Sequence, residues 1–231
     1  MLPVLALLVP ALAPPFNPTP ETVDSALPNV LLIGDSISIG YTVPTRDELA
    51  GEANLFRIPT NGGPTTKGLK NLDNWLGDRK WDVIHVNWGL HDLKYMNENG
   101  ARVSPEEGTI QVPPEEYSKN LGELFDRLQK TGAKLIWATT TPVPEGASGR
   151  VADDSIRYNK LAAEVLQDRP VAVDDLHAYA LQHPELQRKK DVHFTNDGSK
   201  ALAKVVAEEI RKALPAKAAP APIAAPATAG E

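Results

Sequence analysis

Ser36 stands in the run "VLLIGDSIS", after four apolar residues, a glycine and an aspartate. A serine just past a buried strand is either a turn residue or a nucleophile, and the rest of the chain decides between them. A hydroxyl attacks a carbonyl only when a base takes its proton. Of the five histidines, His193 in "KKDVHFTNDGS" has the best surroundings for that task. Asp191, two residues earlier, is placed to hold one imidazole tautomer. The oxygen of an attacked carbonyl gathers negative charge and needs hydrogen-bond donors. Ser36 offers its own N–H. The glycines of "NGGPTT" (61–66) let backbone approach a ligand closely, or make a simple turn. His91 in "NWGLHD" offers a ring that, when neutral, carries one N–H.

Other residues compete for these roles. Ser38 is a second hydroxyl in the same run, farther from the strand end. Asp174 is an alternative orienter for His193. Asp35 reads as a turn-bonding residue and His85 as a hydrogen-bonded core residue, since it falls within a strand. His177 and His183 read as surface or packing residues. No metal-ligand spacing accompanies any histidine, so no metal site is expected. Trp75, Trp81, Trp88 and Trp137 read as core, with Trp88 nearest the rim where a sugar ring could stack.

Something must bring these separated residues together. Apolar, β-branched runs at 29–34, 53–58, 81–89, 133–140 and 170–175 read as strands of a parallel sheet covered on both faces. Helical periodicity appears from Pro113 and Pro114 to Gly132, over about 154–167 with Ile156, Leu161 and Val165 as apolar positions, and from near Asp197 to Leu214. Thr195 or Asn196 is the expected cap of the last helix. Alternating strands and helices predict a three-layer α/β/α sandwich with a mostly parallel, flavodoxin-like sheet. Sites in such folds lie beyond the carboxyl ends of the strands, where Ser36 and His91 both fall. The long connection 97–114 is expected to be a polar loop, which either overhangs that rim or simply covers surface.

The 231 residues, 42% apolar and 23% charged, suit one globular domain with tails. The boundaries expected are 1–26 for an apolar segment and linker, 27–214 for the domain, and 215–231 for an Ala/Pro-rich tail. "MLPVLALLVPALAPP" reads as an export signal, which predicts a secreted or periplasmic protein; it is too short and proline-broken to span a bilayer. A net charge of −6 argues against a general nucleic-acid binder. The absence of cysteine excludes disulfides and thiolate metal sites.

Taken in order, these blocks resemble the SGNH hydrolases, also called the GDSL esterase/lipase family. The resemblance runs from Asn29 to about Leu214. Gly34-Asp35-Ser36 matches the family's first block, which implies Ser36 as nucleophile. "GGPTT" matches the second, which implies Gly63 as an oxyanion donor. The third block is usually Gly-x-Asn-Asp; here it reads Gly89-Leu90-His91-Asp92, with histidine in the place of the oxyanion asparagine. The last block is usually Asp-x-x-His, whereas here Asp191 stands two residues before His193. The resemblance implies a cofactor-independent serine esterase with Ser36, His193 and Asp191 catalytic, and Ser36, Gly63 and His91 around the oxyanion. With the export signal, the family's range suggests removal of small acyl groups, above all acetyl, from a polysaccharide or small-molecule ester. The competing readings are a noncatalytic glycan-binding module on the same fold and a lipase- or lysophospholipase-type esterase.

Overall fold

A computed structural model describes residues 19–215. The expected export signal and most of the Ala/Pro-rich tail lie outside the described residues. In chain order the elements are β1 (Asn29–Ile33), α1 (Ser36–Glu48), β2 (Asn54–Arg57), α2 (Thr65–Leu76) and β3 (Val83–Val86). A short hairpin of β4 (Tyr95–Met96) and β5 (Thr109–Ile110) follows, then α3 (Pro114–Gln129), β6 (Lys134–Ala138) and α4 (Asp154–Leu166). The chain ends with β7 (Val171–Asp174), α5 (Leu176–Gln182), a 3-10 turn and α6 (Asn196–Ala213).

Five strands form one sheet in the order β2-β1-β3-β6-β7, and every neighbouring pair is parallel. Helices α1 and α6 pack together on one face, and α2, α3 and α4 form the other layer. This is the expected three-layer sandwich. Its central strands are apolar on both faces because both faces are covered: Val30, Leu32, Val83, Ile84, Val86 and Ile136 are completely buried. Each such side chain contributes about 1.5–3 kcal/mol by leaving water. The order reverses direction between β1 and β3, so their carboxyl ends leave a crevice between them. The turns carrying Ser36 and His91 leave from those two strands.

All five expected strands form, with trimmed ends. Three helices do so as well, and Thr195 rather than Asn196 caps the last, its Oγ1 accepting from the Gly198 N–H at 3.0 Å. Helices α1, α2 and α5 were not anticipated. In α1 the periodicity is hidden by buried polar residues (Ser38, Thr42 and Thr45), and Pro44 sits inside the helix. The two latter hydroxyls donate back to the carbonyls of Ser38 and Tyr41, four residues earlier in each case. Ile156 is not a core position: it is 56% exposed, and α4 buries Ser155, Tyr158, Ala162 and Leu166 instead. The 97–114 connection is not a plain loop, because it carries β5 of the hairpin and the start of α3. All four tryptophans are buried; Trp88, at 1% exposure, is unavailable for stacking on a sugar.

Candidate active site

The turn carrying Ser36 begins where β1 ends. Asp35 caps α1, its carboxylate accepting from the Ile37 N–H at 2.9 Å, so it serves the turn. Ser36 is therefore the first residue of a helix, where the backbone dipole favours negative charge. Among the described residues its N–H donates to nothing. Ser38 is fully committed beneath it: its hydroxyl donates to the Asp35 carbonyl (2.8 Å) and accepts from Arg57 (2.9 Å), and it is buried. That removes Ser38 as an alternative nucleophile.

His193 reaches Ser36 from the loop before α6. Its Nε2 lies 2.8 Å from Ser36 Oγ. Asp191 Oδ1 is 2.7 Å from Nδ1 and also accepts the His193 backbone N–H at 3.2 Å. The carboxylate keeps a proton on Nδ1, which leaves Nε2 free to accept the serine proton. Burial works to raise the Asp191 pKa, but the two hydrogen bonds from His193 hold it below the usual range, with help from the His193 and Arg188 charges. The two-residue spacing works because the loop bends at Lys190. That residue has φ of 55°, the one positive φ outside glycine among the described residues. The Arg188 N–H to His193 carbonyl bond (2.9 Å) closes the bend. Asp174, the alternative orienter, is not part of this line. It is buried against His85, whose Nε2 lies 2.8 Å from its Oδ2 in the core.

The second rim loop is drawn tightly against the first. The Gly62 N–H donates to the Gly34 carbonyl at 2.8 Å, and a Cβ on Gly62 would stand 2.8 Å from that same oxygen. Gly63 sits at φ of 63°, and its N–H donates to the Asn61 side chain at 2.9 Å. The N–H expected to face an oxyanion is thus already occupied. Arg57 locks both loops from below. Its buried guanidinium donates to the carbonyls of Gly34 (2.9 Å), Asp35 (3.3 Å), Ile58 (2.9 Å) and Thr60 (2.8 Å), besides Ser38. A lone arginine near the end of the run "ANLFRI" is the sequence signal for this clamp.

The third rim loop leaves β3 at Gly89, whose φ of 151° and closeness to Thr140 exclude any side chain: a Cβ would lie 2.0 Å from Thr140 Oγ1. Asp92 serves the loop rather than the crevice. It is completely buried and accepts from the N–H (2.8 Å) and hydroxyl (2.6 Å) of Thr65, tying this loop to the start of α2. Burial raises its pKa to about 7. His91 beside it is half-buried, and burial lowers its pKa to about 4, with the Lys94, Arg150 and Lys67 charges acting in the same sense and Asp35 against them. Lys94 Nζ approaches His91 Nδ1 at 3.5 Å. An ammonium can only donate, so the neutral ring keeps its proton on Nε2, the one N–H it can offer.

A groove of about 390 Å³ opens beside Ser36 and His193, with Ile37, Pro44, Arg188 and Phe194 among its lining residues. Among the described residues no group of three or more His, Asp and Glu gathers as a metal site, and no helix is long and apolar enough to cross a membrane.

Comparison with solved structures finds the same fold at low sequence identity. An acetyl xylan esterase structure has a TM-score of 0.64 at 19% identity, covering 79% of this chain and 99% of the other. A lipase/acylhydrolase from Enterococcus faecalis gives 0.65 at 21% identity, covering 83% and 100%. An acetylxylan esterase from Geobacillus stearothermophilus gives 0.61 at 15% identity, covering 79% and 94%. A search of curated proteins gives no match. The sequence model of the GDSL-like Lipase/Acylhydrolase family matches residues 32–201, a span containing the turns of Ser36, Gly62, His91 and His193. The chain belongs to that family and is a carboxylic ester hydrolase.

Proposed function

We propose that this chain is a serine esterase that removes small acyl groups, foremost acetyl, from a carbohydrate through an acyl-enzyme. The observation that carries the reading is the continuous line from Ser36 Oγ to His193 Nε2 and from His193 Nδ1 to Asp191, at 2.8 and 2.7 Å. Ser36 Oγ bonds to the ester carbonyl carbon while its proton passes to His193 Nε2. The resulting oxyanion accepts the free Ser36 N–H at the positive end of α1 and the Nε2–H of His91. Collapse breaks the bond to the alcohol oxygen, which takes the proton from His193. Water then repeats the sequence on the acyl-serine and releases the carboxylic acid. Gly63 contributes only if Asn61 releases its N–H, so the donor set needs no more than Ser36 and His91.

The acetyl and carbohydrate parts of the reading are supported by the two acetyl xylan esterases among the structural neighbours. The apolar leader in the sequence supports action outside the cytoplasm. The test is hydrolysis of para-nitrophenyl acetate and of acetylated xylan by wild type and Ser36→Ala, with fluorophosphonate labelling mapped by peptide. Hydrolysis lost in the variant, with the label on Ser36, is the expected result. Label on another serine, or equal rates in both proteins, overturns it. A protein that binds acetylated xylan without hydrolysing either ester or taking the label is the noncatalytic module.

A further inference from the structure

The rim carries a second cluster of charged groups that acyl transfer does not use. Lys94, Arg102 and Arg150 reach it from three segments, Lys94 and Arg150 beside His91 and Arg102 against the loop that bears Arg150. Arg150 Nε donates to the Leu90 carbonyl at 3.0 Å, which seats its guanidinium on the His91 turn. Lys94 Nζ lies against the His91 ring at 3.5 Å. Arg102 comes from the hairpin, bridged to Met96, and its stem covers Gly149, where a Cβ would fall 2.5 Å from Arg102 Cγ. The Tyr95 N–H to Gly149 carbonyl bond (2.9 Å) fastens the hairpin to the loop bearing Arg150.

Among the described residues none of these three cations forms an ion pair, and the Arg102 guanidinium has no hydrogen-bond acceptor. Three other arginines are neutralised by carboxylates: Arg127 by Asp73, Arg169 by Asp126 and Arg211 by Glu52. The three also oppose one another. Burial first, and then Arg102, push Arg150 down to about 10, while Lys94 is lowered by burial and by Arg150 and Arg102. Asp35 and Asp191 act on Arg150 from the catalytic side, so the cluster borders the nucleophile. In a chain of net charge −6, three unpaired like charges gathered at the crevice are held at an electrostatic cost that a bound anion removes.

We propose that Lys94, Arg102 and Arg150 form an anion subsite beside the acyl-transfer centre, and that the ester this enzyme cleaves carries a carboxylate or a sulfate. The substrate half of this statement rests on the esterase reading above; the subsite itself does not. The alternative is that the three cations only fasten the hairpin to its neighbouring loop.

Three esters that present the same acetyl group separate these possibilities: phenyl acetate, para-acetoxybenzoate and para-acetoxybenzenesulfonate. Their kcat/KM values are measured at low and high salt for wild type, Lys94→Gln, Arg102→Gln and, as a charge control, Lys134→Gln at the amino end of β6. The subsite predicts that Lys94→Gln and Arg102→Gln each lower the anionic-to-neutral ratio about five- to tenfold. High salt does the same to wild type, and Lys134→Gln leaves the ratio unchanged. The larger effect, on benzoate or on sulfonate, tells carboxylate from sulfate. Calorimetric binding of the same compounds to Ser36→Ala gives a reading independent of turnover. Ratios unaffected by both variants and by salt, with no anion preference in that binding, overturn the proposal. Anion preference in binding without hydrolysis of any ester overturns the esterase reading and leaves the subsite standing.

Discussion

Asp191 holds His193 twice through one oxygen, once at the ring Nδ1 and once at the backbone N–H of the same residue. Ring orientation and loop conformation are therefore set by a single carboxylate. Asp191→Asn replaces one oxygen with an NH₂ group and weakens both functions. A fall in kcat on the order of 10²–10³ is expected, smaller than for a fully buried orienter because both side chains are about 40% exposed. Asp174→Asn alters the buried bond to His85 instead. It is expected to lower the melting temperature with little change in kcat. Steady-state kinetics and thermal melts on the two variants make the comparison.

His91 stands where the family's oxyanion asparagine is usual. If its Nε2–H binds the oxyanion, His91→Ala lowers kcat on the order of 10²-fold with a much smaller change in KM. His91→Asn restores an N–H donor and recovers most of the rate. Equal, near-wild-type rates in both variants would mean that the backbone donor is sufficient.

The same residue gives the fold a pH dependence. His91 takes a proton only near pH 4 when folded, against 6.5 for its ordinary value. Between these two values the unfolded chain binds a proton that the folded chain does not, so its contribution to stability falls as pH drops from about 6.5 to about 4. Asp92, with its pKa raised to about 7, works in the opposite sense over the acid range. It is present in wild type and in His91→Asn alike, so the difference between their melting temperatures isolates His91. Wild type is expected to lose more than the variant between pH 7 and pH 5.

Arg57 is the clamp under two rim loops. Arg57→Met keeps much of the volume and removes every donor, taking the Arg57 bond from the buried carbonyl of Ile58 and the half-buried carbonyl of Thr60 and leaving Gly34 with Gly62 alone. The expected loss is roughly 2–4 kcal/mol of stability. Because the carbonyl of Asp35 points toward Arg57, the opposite edge of that planar peptide carries the Ser36 N–H outward. The variant therefore lowers kcat more than it raises KM, and denaturant melts with kinetics on the same samples test both halves.

Lys190 is the remaining pressure point. A left-handed conformation costs a non-glycine residue about 1–2 kcal/mol. Lys190→Gly is expected to keep or slightly raise the melting temperature and to retain activity. Lys190→Val, whose branched side chain disfavours that region, should move Asp191 away from His193 and reduce kcat with the protein still folded by circular dichroism. Unchanged kcat in the valine variant would show that the bend does not set the Asp191–His193 contact.

The sheet was legible in the sequence because its strands are apolar on both faces and end at glycine or polar residues. So was the meeting of Ser36 with His193, since both fall on the carboxyl rim of the sheet. What escaped was held by polar groups rather than by periodicity. Helix α1 hides its buried face behind serine and threonine hydroxyls that bond their own backbone. Arg57 looked like one charge in a short strand. The occupation of the Gly63 N–H by Asn61 depends on a side-chain rotamer that spacing does not encode, and the Asp174–His85 pair joins strands that only the three-dimensional register brings near.

The bend at Lys190 places Asp191 and His193 on one short peptide, while Ser36 opens α1 directly after β1. The proposed machinery thus divides between two separate segments, the second held by the Thr195 N–H to Leu186 carbonyl bond and the Gln187–Phe194 bridge. If Ser36 and His193 act together as proposed, local opening of that segment would separate them with the core untouched, and protection of the amide hydrogens at 188–195 against exchange would report it where global melting would not.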